Sequence, residues 1–416
     1  MKAIGLIDVR CMYVSCERFV DPRLKSKPVV VLSNNDGCVI SRSDEAKRCG
    51  VAMGAPWYKV RNDPRFSRVV ARSSNYELYG DMSVRFHRAI ASMSAWSEVY
   101  SIDESFMALD RSAGDHAAAI QERVHAWTRL PTSAGVGPTK TLAKVAQRHA
   151  KETGASLCDV TGWPRPRLDD LLAATPVNAV WGVGWRLSRQ LAGRGVESAL
   201  DLARLDPGVV RRRWSVVLER TVRELRGVSC IELGHEPQPK HQIVYSRMMS
   251  APVTTRAEME HVVAQHAWMA SRRLRQGGQT ASLVQVWMST SYFRDDTRRD
   301  GACVSLSPPT NDPAHLIKAA KAVVATMHEG APYNRVGVLL AGLAPAGEQA
   351  TLFGEDSDDL NRAVDEINAR FGHGAIGPGV TGMRGRQRWD MRRDMLSPAS
   401  TTRWDDLIVV RAGWQQ

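Results

Sequence analysis

The stretch Val99-Tyr100-Ser101-Ile102-Asp103-Glu104-Ser105-Phe106-Met107-Ala108-Leu109 reads as two short apolar strands meeting at an acidic corner. Val99, Ile102, Phe106, Met107 and Leu109 give it the partly alternating, β-favouring character of a half-buried hairpin. Asp103 and Glu104 fall at the corner, and no basic residue adjoins them in the sequence. Two carboxylates fixed side by side repel one another unless a cation lies between them. Hard divalent ions take such carboxylates together with a substrate's phosphate oxygens. Taken alone, the pair reads as an exposed acidic turn, which is what most Asp-Glu pairs are. A third carboxylate favours the ion, and Asp8 offers one. It ends Lys2-Ala3-Ile4-Gly5-Leu6-Ile7-Asp8, an apolar run patterned like a buried central strand with an acid at its tip.

On either side of the corner the periodicity switches between strand and helix. Helical spacing over 75–93 (Leu78, Met82, Val84, Phe86, Ile90) precedes the hairpin. A helix over about 115–127, a strand over 132–136 and a helix over 139–151 follow it. Between Asp8 and residue 75 lie a strand at 29–32, a turn at Asn34-Asn35-Asp36-Gly37, a strand at 38–41 and a short helix at 43–49 stopped by Gly50. The order predicts a split βαββαβ sheet with a small module spliced in after the first strand. In that topology the first strand and the hairpin are neighbours, which places Asp8 beside Asp103 and Glu104.

From Pro164 the composition changes. Val180-Trp181-Gly182-Val183-Gly184-Trp185-Arg186-Leu187 has the form of a helix-hairpin-helix, whose glycines let backbone amides approach a phosphate. A plain helix–helix turn is the bland alternative. Over 181–228 ten arginines stand against five acids, which favours a DNA backbone as the contact. A proline-bearing polar linker at 236–242 leads to a second βαββαβ pattern over 243–345. Within it Arg272, Arg273, Arg275, Arg294, Arg298 and Arg299 are candidate phosphate contacts. Beyond Pro345 regularity fades.

With 416 residues, two to four domains are expected. A net charge of +12 suits a polyanionic partner. Seven cysteines without a CxxC pair argue against zinc and against a secreted disulfide framework, and fit a reducing cytoplasm. Met1-Lys2 leads into a strand rather than a signal peptide, and no apolar run reaches membrane-spanning length.

Asp8-Val9-Arg10-Cys11-Met12-Tyr13-Val14-Ser15-Cys16-Glu17, Val29 through Ile40, Ser74-Asn75-Tyr76-Glu77-Leu78-Tyr79 and Tyr100 through Glu104 resemble, in order and spacing, the Y-family DNA polymerases of the UmuC type. The resemblance runs to Met391-Arg392-Arg393-Asp394-Met395-Leu396-Ser397-Pro398 and Thr401-Thr402-Arg403-Trp404. It implies an α+β, right-hand polymerase with a palm at 1–13 and 71–163 and small fingers at 14–70. A helical thumb at 164–235, a little finger at 243–345 and a tail at 346–416 complete it. It further implies error-prone, template-directed addition of dNTPs to a primer in SOS mutagenesis, using two Mg²⁺ ions. Asp8, Asp103, Glu104 and the Val9 carbonyl would hold the metals. Tyr13 would be the steric gate against ribose, and Lys47 and Lys151 would hold the triphosphate. Gly182, Gly184, Arg272 and Arg273 would contact DNA. Gln349, Leu352 and Phe353 resemble a sliding-clamp peptide, and a cleaved UmuD-type dimer and RecA are the implied partners. Three departures stand out: Arg10 replaces a small polar or acidic residue, Met12 an aromatic, and Asp44 an uncharged residue. Arg10 leaves open a non-catalytic DNA- and clamp-binding adaptor of the same fold. A helix-hairpin-helix repair nuclease or glycosylase would leave both βαββαβ units unexplained.

Overall fold

The computed structural model describes residues 3–110, 112–234, 240–347, 358–372, 374–381 and 387–407. Every residue of β1 (Ala3–Val9) is buried, as an apolar run without polar alternation dictates. Strand alternation sends Ile4, Leu6 and Asp8 to one face and Ala3, Ile7 and Val9 to the other. Next comes α1 (Met12–Val20), a helix the apolar pattern does not announce, because Glu17 sits among its buried residues. β2 (Val29–Leu32) and β3 (Val39–Arg42) form a small sheet with β4 (Val70–Ser73), which runs parallel to β2. With the short helices α2 (Asp44–Arg48) and α3 (Trp57–Arg61) it encloses its own core of Val30, Leu32, Val39, Ala46, Val51 and Val60.

The main sheet has the order β5-β6-β1-β7-β8, built from β5 (Ser97–Val99), β6 (Glu104–Leu109), β1, β7 (Thr132–Gly137) and β8 (Leu157–Asp159). β1 lies at its centre, antiparallel to both β6 and β7. α4 (Tyr76–Ala91) and α5 (Ala113–Thr128) cover one face, packing Met82, Phe86, Ile120 and Val124 with Ile7, Val9 and Met107. α6 (Lys140–Thr153) covers the other, setting Ala143 against Ile4, Leu6 and Phe106. It lies directly on the backbone of β7. A Cβ on Gly135 would stand 2.1 Å from the Gln147 amide and 2.2 Å from the Ala143 carbonyl. The sequence-derived βαββαβ order is present, with β8 as an added edge strand.

α7 (Arg165–Ala174), α8 (Trp185–Ala192), α9 (Ala199–Arg204), α10 (Pro207–Arg213) and α11 (Val216–Leu225) follow. They share a core of Leu172, Leu191, Leu202, Val210 and Val222 that also takes in Leu142 and Val145 of α6. Ser198, Asp206 and Ser215 cap the last three helices, each accepting from a backbone amide in the first turn.

The second βαββαβ pattern is a four-stranded antiparallel sheet of order β11-β10-β12-β9. Its elements are β9 (Ile243–Val253), α12 (Arg256–Gln276), β10 (Gln279–Thr290), β11 (Arg299–Thr310), α13 (Pro313–Ala322) and β12 (Tyr333–Pro345). Val284, Val286, Met288, Val336 and Val338 pack with residues of α12 and α13 in its core. Register puts Arg299, Ser289 and Arg335 in one row on the opposite face. Past Pro345, where the sequence reads as irregular, α14 (Asp358–Phe371) forms. It docks through polar contacts: Asp365 accepts two bonds from Arg275, at 2.8 and 2.9 Å, and Asn361 and Asn368 are buried.

The chain divides into two compact units, Met1–Pro237 with Asp394–Gln416, and Gln238–Arg393. The segment from Asp394 therefore returns to the first unit. Among the described residues no helix is long and apolar enough to cross a membrane.

Candidate active site

Backbone bonds lock the end of β1 onto the acidic corner. The Val9 amide donates to the Asp103 carbonyl at 2.9 Å, and the amides of Tyr100 and Ser101 both donate to the Glu104 carbonyl at 3.1 Å. Ser101 is the hub of the turn. Its hydroxyl donates to Asp103 Oδ1 at 2.6 Å and accepts from the amides of Asp103 and Glu104 at 3.2 and 3.0 Å. α4 supports the corner through His87, whose Nε2 lies 3.0 Å from the Ser101 carbonyl.

Asp8 and Glu104 are direct partners in the β1–β6 register, so their side chains leave the same face, the one covered by α6. α6 answers with two lysines, two turns apart on one side of the helix. Lys151 Nζ meets Asp8 Oδ1 at 3.0 Å, and Lys144 Nζ meets Glu104 Oε1 at 2.9 Å. The acids lack a cation along the sequence but gain two in space. Asp8 is only 8% exposed. Burial pushes its carboxyl up to about 6; Lys151 opposes this, while the charges of Glu104 and Asp103 raise it further. The three carboxylates therefore sense one another, and the ammonium groups offset their charge only in part.

Among the described residues no three His, Cys, Asp or Glu side chains are gathered into a ready-made metal cage. The donor chemistry nonetheless suits a hard divalent cation, being three carboxylates and the Val9 carbonyl, all oxygen. Arg10 does not fill the place of a cation: its Nη2 turns to the Ala155 carbonyl at 3.3 Å. Met12 is buried in the core, and Asp44 pairs with Lys47 at 2.7 Å, which with Arg10 holds the Asp44 carboxyl low.

Tyr13 lies within electrostatic reach of Asp103. Burial raises its hydroxyl pKa, and the charges of Tyr76 and Asp103 add to the effect. Its ring stacks on Tyr79 with centroids 4.5 Å apart and planes 13° from parallel, while Tyr76 meets it edge-on at 6.3 Å. Lys47 reaches Cys11, the residue before α1, with Nζ 3.5 Å from the sulfur. A cleft of about 440 Å³ opens beside the acids, lined by Glu104, Lys144, Gln147, Arg148, Lys151 and Trp181. Lys144 also lies 4.2 Å from the centroid of Tyr100 and 5.6 Å from that of Trp181. Trp181 belongs to the glycine-bearing loop and donates to Tyr100 Oη at 2.9 Å. In that loop Gly182 takes a positive φ of 87°, which favours glycine, and Gly184 caps α8.

The remaining sequence candidates belong to the second unit or fall outside the described residues. Arg273 is exposed, donates to the Val244 carbonyl at 2.9 Å and covers Tyr245, whereas Arg272 is half-buried. Arg275 is half-buried, and its guanidinium is engaged by Asp365 and by the Asn311 carbonyl. Gln349, Leu352 and Phe353 lie outside the described residues. Ser101, Lys144 and Arg335 escape the motif reading. Lys144 had one signal, its seven-residue spacing from Lys151, which puts both on one helix face.

Residues 7–148 match the impB/mucB/samB family, residues 240–352 the C-terminal domain of that family, and residues 358–410 a domain of unknown function, DUF4113. The protein ImpB of Salmonella typhimurium is 39% identical over 98% of this chain and 100% of its own length. The protein UmuC of Salmonella typhimurium strain LT2 is 40% identical, again over 98% of this chain and all of its own. DNA polymerase IV of Pelotomaculum thermopropionicum is 28% identical over 90% of this chain and 94% of its own. Among solved structures, the Y-family DNA polymerase chimera Dbh-Dpo4(243-245)-Dbh superposes with a TM-score of 0.67 at 15% identity, covering 82% of this chain and 99% of that one.

Proposed function

Because the chain belongs to the impB/mucB/samB family, the UmuC type of Y-family DNA polymerase, we propose that it extends primers across damaged template by two-metal-ion catalysis during SOS mutagenesis. DNA and nucleotides are the substrates of this family, and divalent-metal dependence goes with it. The metal proposed here is Mg²⁺. Asp8, Asp103, Glu104 and the Val9 carbonyl would hold it, and when bound it supplies charge stabilisation at the attacking and leaving oxygens of phosphoryl transfer.

The chain's own residues do the rest. Lys151 and Lys144 hold Asp8 and Glu104 in place until substrate and cations arrive, and Lys151 then shifts towards triphosphate oxygens together with Lys47. Tyr13 presents a flat ring to the sugar and leaves no room for a 2′-hydroxyl. The palm is assigned to residues 1–13 and 71–163, the fingers to 14–70, the thumb to 164–235 and the little finger to 243–345. Gly182 and Gly184 are assigned to the DNA backbone, as are Arg272 and Arg273. Arg299 and Arg335, in one row on the other sheet face, are assigned as further phosphate contacts. Gln349, Leu352 and Phe353 are assigned to the sliding clamp, and a cleaved UmuD-type dimer and RecA are the expected accessory partners.

One observation carries the reading: Asp8 faces Glu104 across two paired strands, with Asp103 at the adjoining corner. The test is primer extension with Mg²⁺, clamp and accessory partners. Asp103→Ala should lower kcat/KM by about a thousandfold or more. Undiminished extension by that variant would remove the chemistry.

A further inference from the structure

The segment from Asp394 lies within the match to the domain of unknown function and packs against the first unit. It is held at four successive points. The Asp394 amide donates to Asp36 Oδ2 at 3.0 Å. Met395 exchanges bonds with Ser73, its amide donating to Ser73 Oγ at 2.9 Å and its carbonyl accepting from the Ser73 amide at 3.0 Å. The Met395 side chain packs on the small core behind β2 and β3. Ser397 is buried, and both its carbonyl and its hydroxyl oxygen accept from Asn75 Nδ2 at 3.0 Å.

The last point leads inward. The Ser397 hydroxyl donates to Glu17 Oε1 at 3.0 Å, and the Tyr79 hydroxyl donates to the same oxygen at 2.7 Å. Glu17 is completely buried, and among the described residues its other oxygen has only the Arg72 guanidinium, 3.9 Å away. A carboxylate in such a place depends on the few donors it has. Asn75 meanwhile caps α4, its Oδ1 accepting from the Leu78 amide at 3.2 Å. One contact of Ser397 therefore ends on the cap of α4, and the other, Glu17 of α1, is shared with Tyr79 in the first turn of α4, which also carries Tyr76. These are the two rings that fix Tyr13.

We propose that the strap Asp394–Pro398 positions the sugar gate, with Ser397 acting through Glu17 and Asn75 on Tyr79 and thereby on the Tyr13 ring. The specificity it serves is deoxyribose against ribose in the incoming nucleoside triphosphate. The inference rests on the assignment of Tyr13 as the gate. Ser397 and Asn75 are positioning residues: neither reaches the substrate. When the Ser397 hydroxyl is removed, Glu17 Oε1 keeps Tyr79 as its one donor, and the stack beneath Tyr13 loosens.

The test compares kcat/KM for dATP and ATP opposite template thymine, using the full chain with its accessory partners and clamp. Both rates come from one preparation, so their ratio does not depend on the fraction folded. Ser397→Ala and Tyr79→Phe, which keeps the stacked ring, should each raise relative ribonucleotide use about fivefold or more, mainly through a lower KM for ATP. Ser397→Thr, which keeps a hydroxyl, should restore the native ratio. Tyr13→Ala is the control. If it leaves ribonucleotide use unchanged, the gate assignment fails and the inference falls with it. If it opens the gate while Ser397→Ala and Tyr79→Phe keep the native ratio, or lower both rates in parallel, the strap is only structural and the inference is overturned.

Discussion

At the scale of single residues, the lysines beside the acids make opposite demands on the site. Lys144 neutralises Glu104 and so competes with any cation that Glu104 would hold. Lys144→Ala should tighten Mn²⁺ binding to the free protein by roughly threefold to tenfold, as expected for removing one nearby positive charge in a partly screened site. Electron paramagnetic resonance titration reads this without any turnover, and weaker binding would contradict the electrostatic account. His266 gives a second prediction. It is buried, and burial followed by the charge of Arg247 holds its imidazole down to about 3. The folded state refuses a proton that the unfolded chain accepts below its ordinary value of 6.5. Stability is therefore full above that value and is lost as the pH falls toward 3, by about 1 kcal/mol between pH 6.5 and 5.5. Urea unfolding of native protein and of His266→Phe should show this slope in the first and a shallower one in the second. The motif residues at this scale were legible because each stands at a fixed interval within a short run. Ser101 and Lys144 were not, since their importance comes from what folding brings next to them.

At the scale of elements, the sheet order was legible because β1, β6 and β7 are apolar runs ended by turns, and α4 to α6 keep a helical spacing. Two of the helices that escaped share a reason. α1 buries Glu17, and α14 buries Asn361 and Asn368, so polar side chains sit where a periodic reading requires apolar ones. Packing is least forgiving at Gly135. An alanine there would drive its methyl into the backbone of α6, at Gln147 and Ala143. Gly135→Ala should destabilise the protein by about 2–4 kcal/mol. Because α6 carries both Lys144 and Lys151, it should also weaken dNTP binding. Thermal unfolding followed by circular dichroism, paired with dNTP titration, checks both halves. An unchanged melting temperature would show that α6 is not seated where described.

At the scale of the whole molecule, a formal charge of +12 should make DNA affinity fall steeply with salt. Clamp affinity should obey a separate control. Leu352→Ala with Phe353→Ala should weaken clamp capture tenfold or more while leaving dNTP affinity alone, as a pull-down beside a dNTP titration would reveal. Both βαββαβ units were legible at this scale, the second in one uninterrupted run and the first broken only by the module spliced in after β1. The return of Asp394–Pro398 was not, because nothing in a polar stretch after an unrelated unit says which earlier surface it will meet. That return imposes an order on biosynthesis. A ribosome must translate the whole of Gln238–Arg393 before it supplies the residues that close over Glu17 and Asn75. The amino-terminal half emerges first and waits with a buried-type carboxylate still short of a donor. A message broken anywhere in the second unit would then yield a polymerase-like fragment without its strap, and such a fragment should be cleared by proteases faster than the full chain.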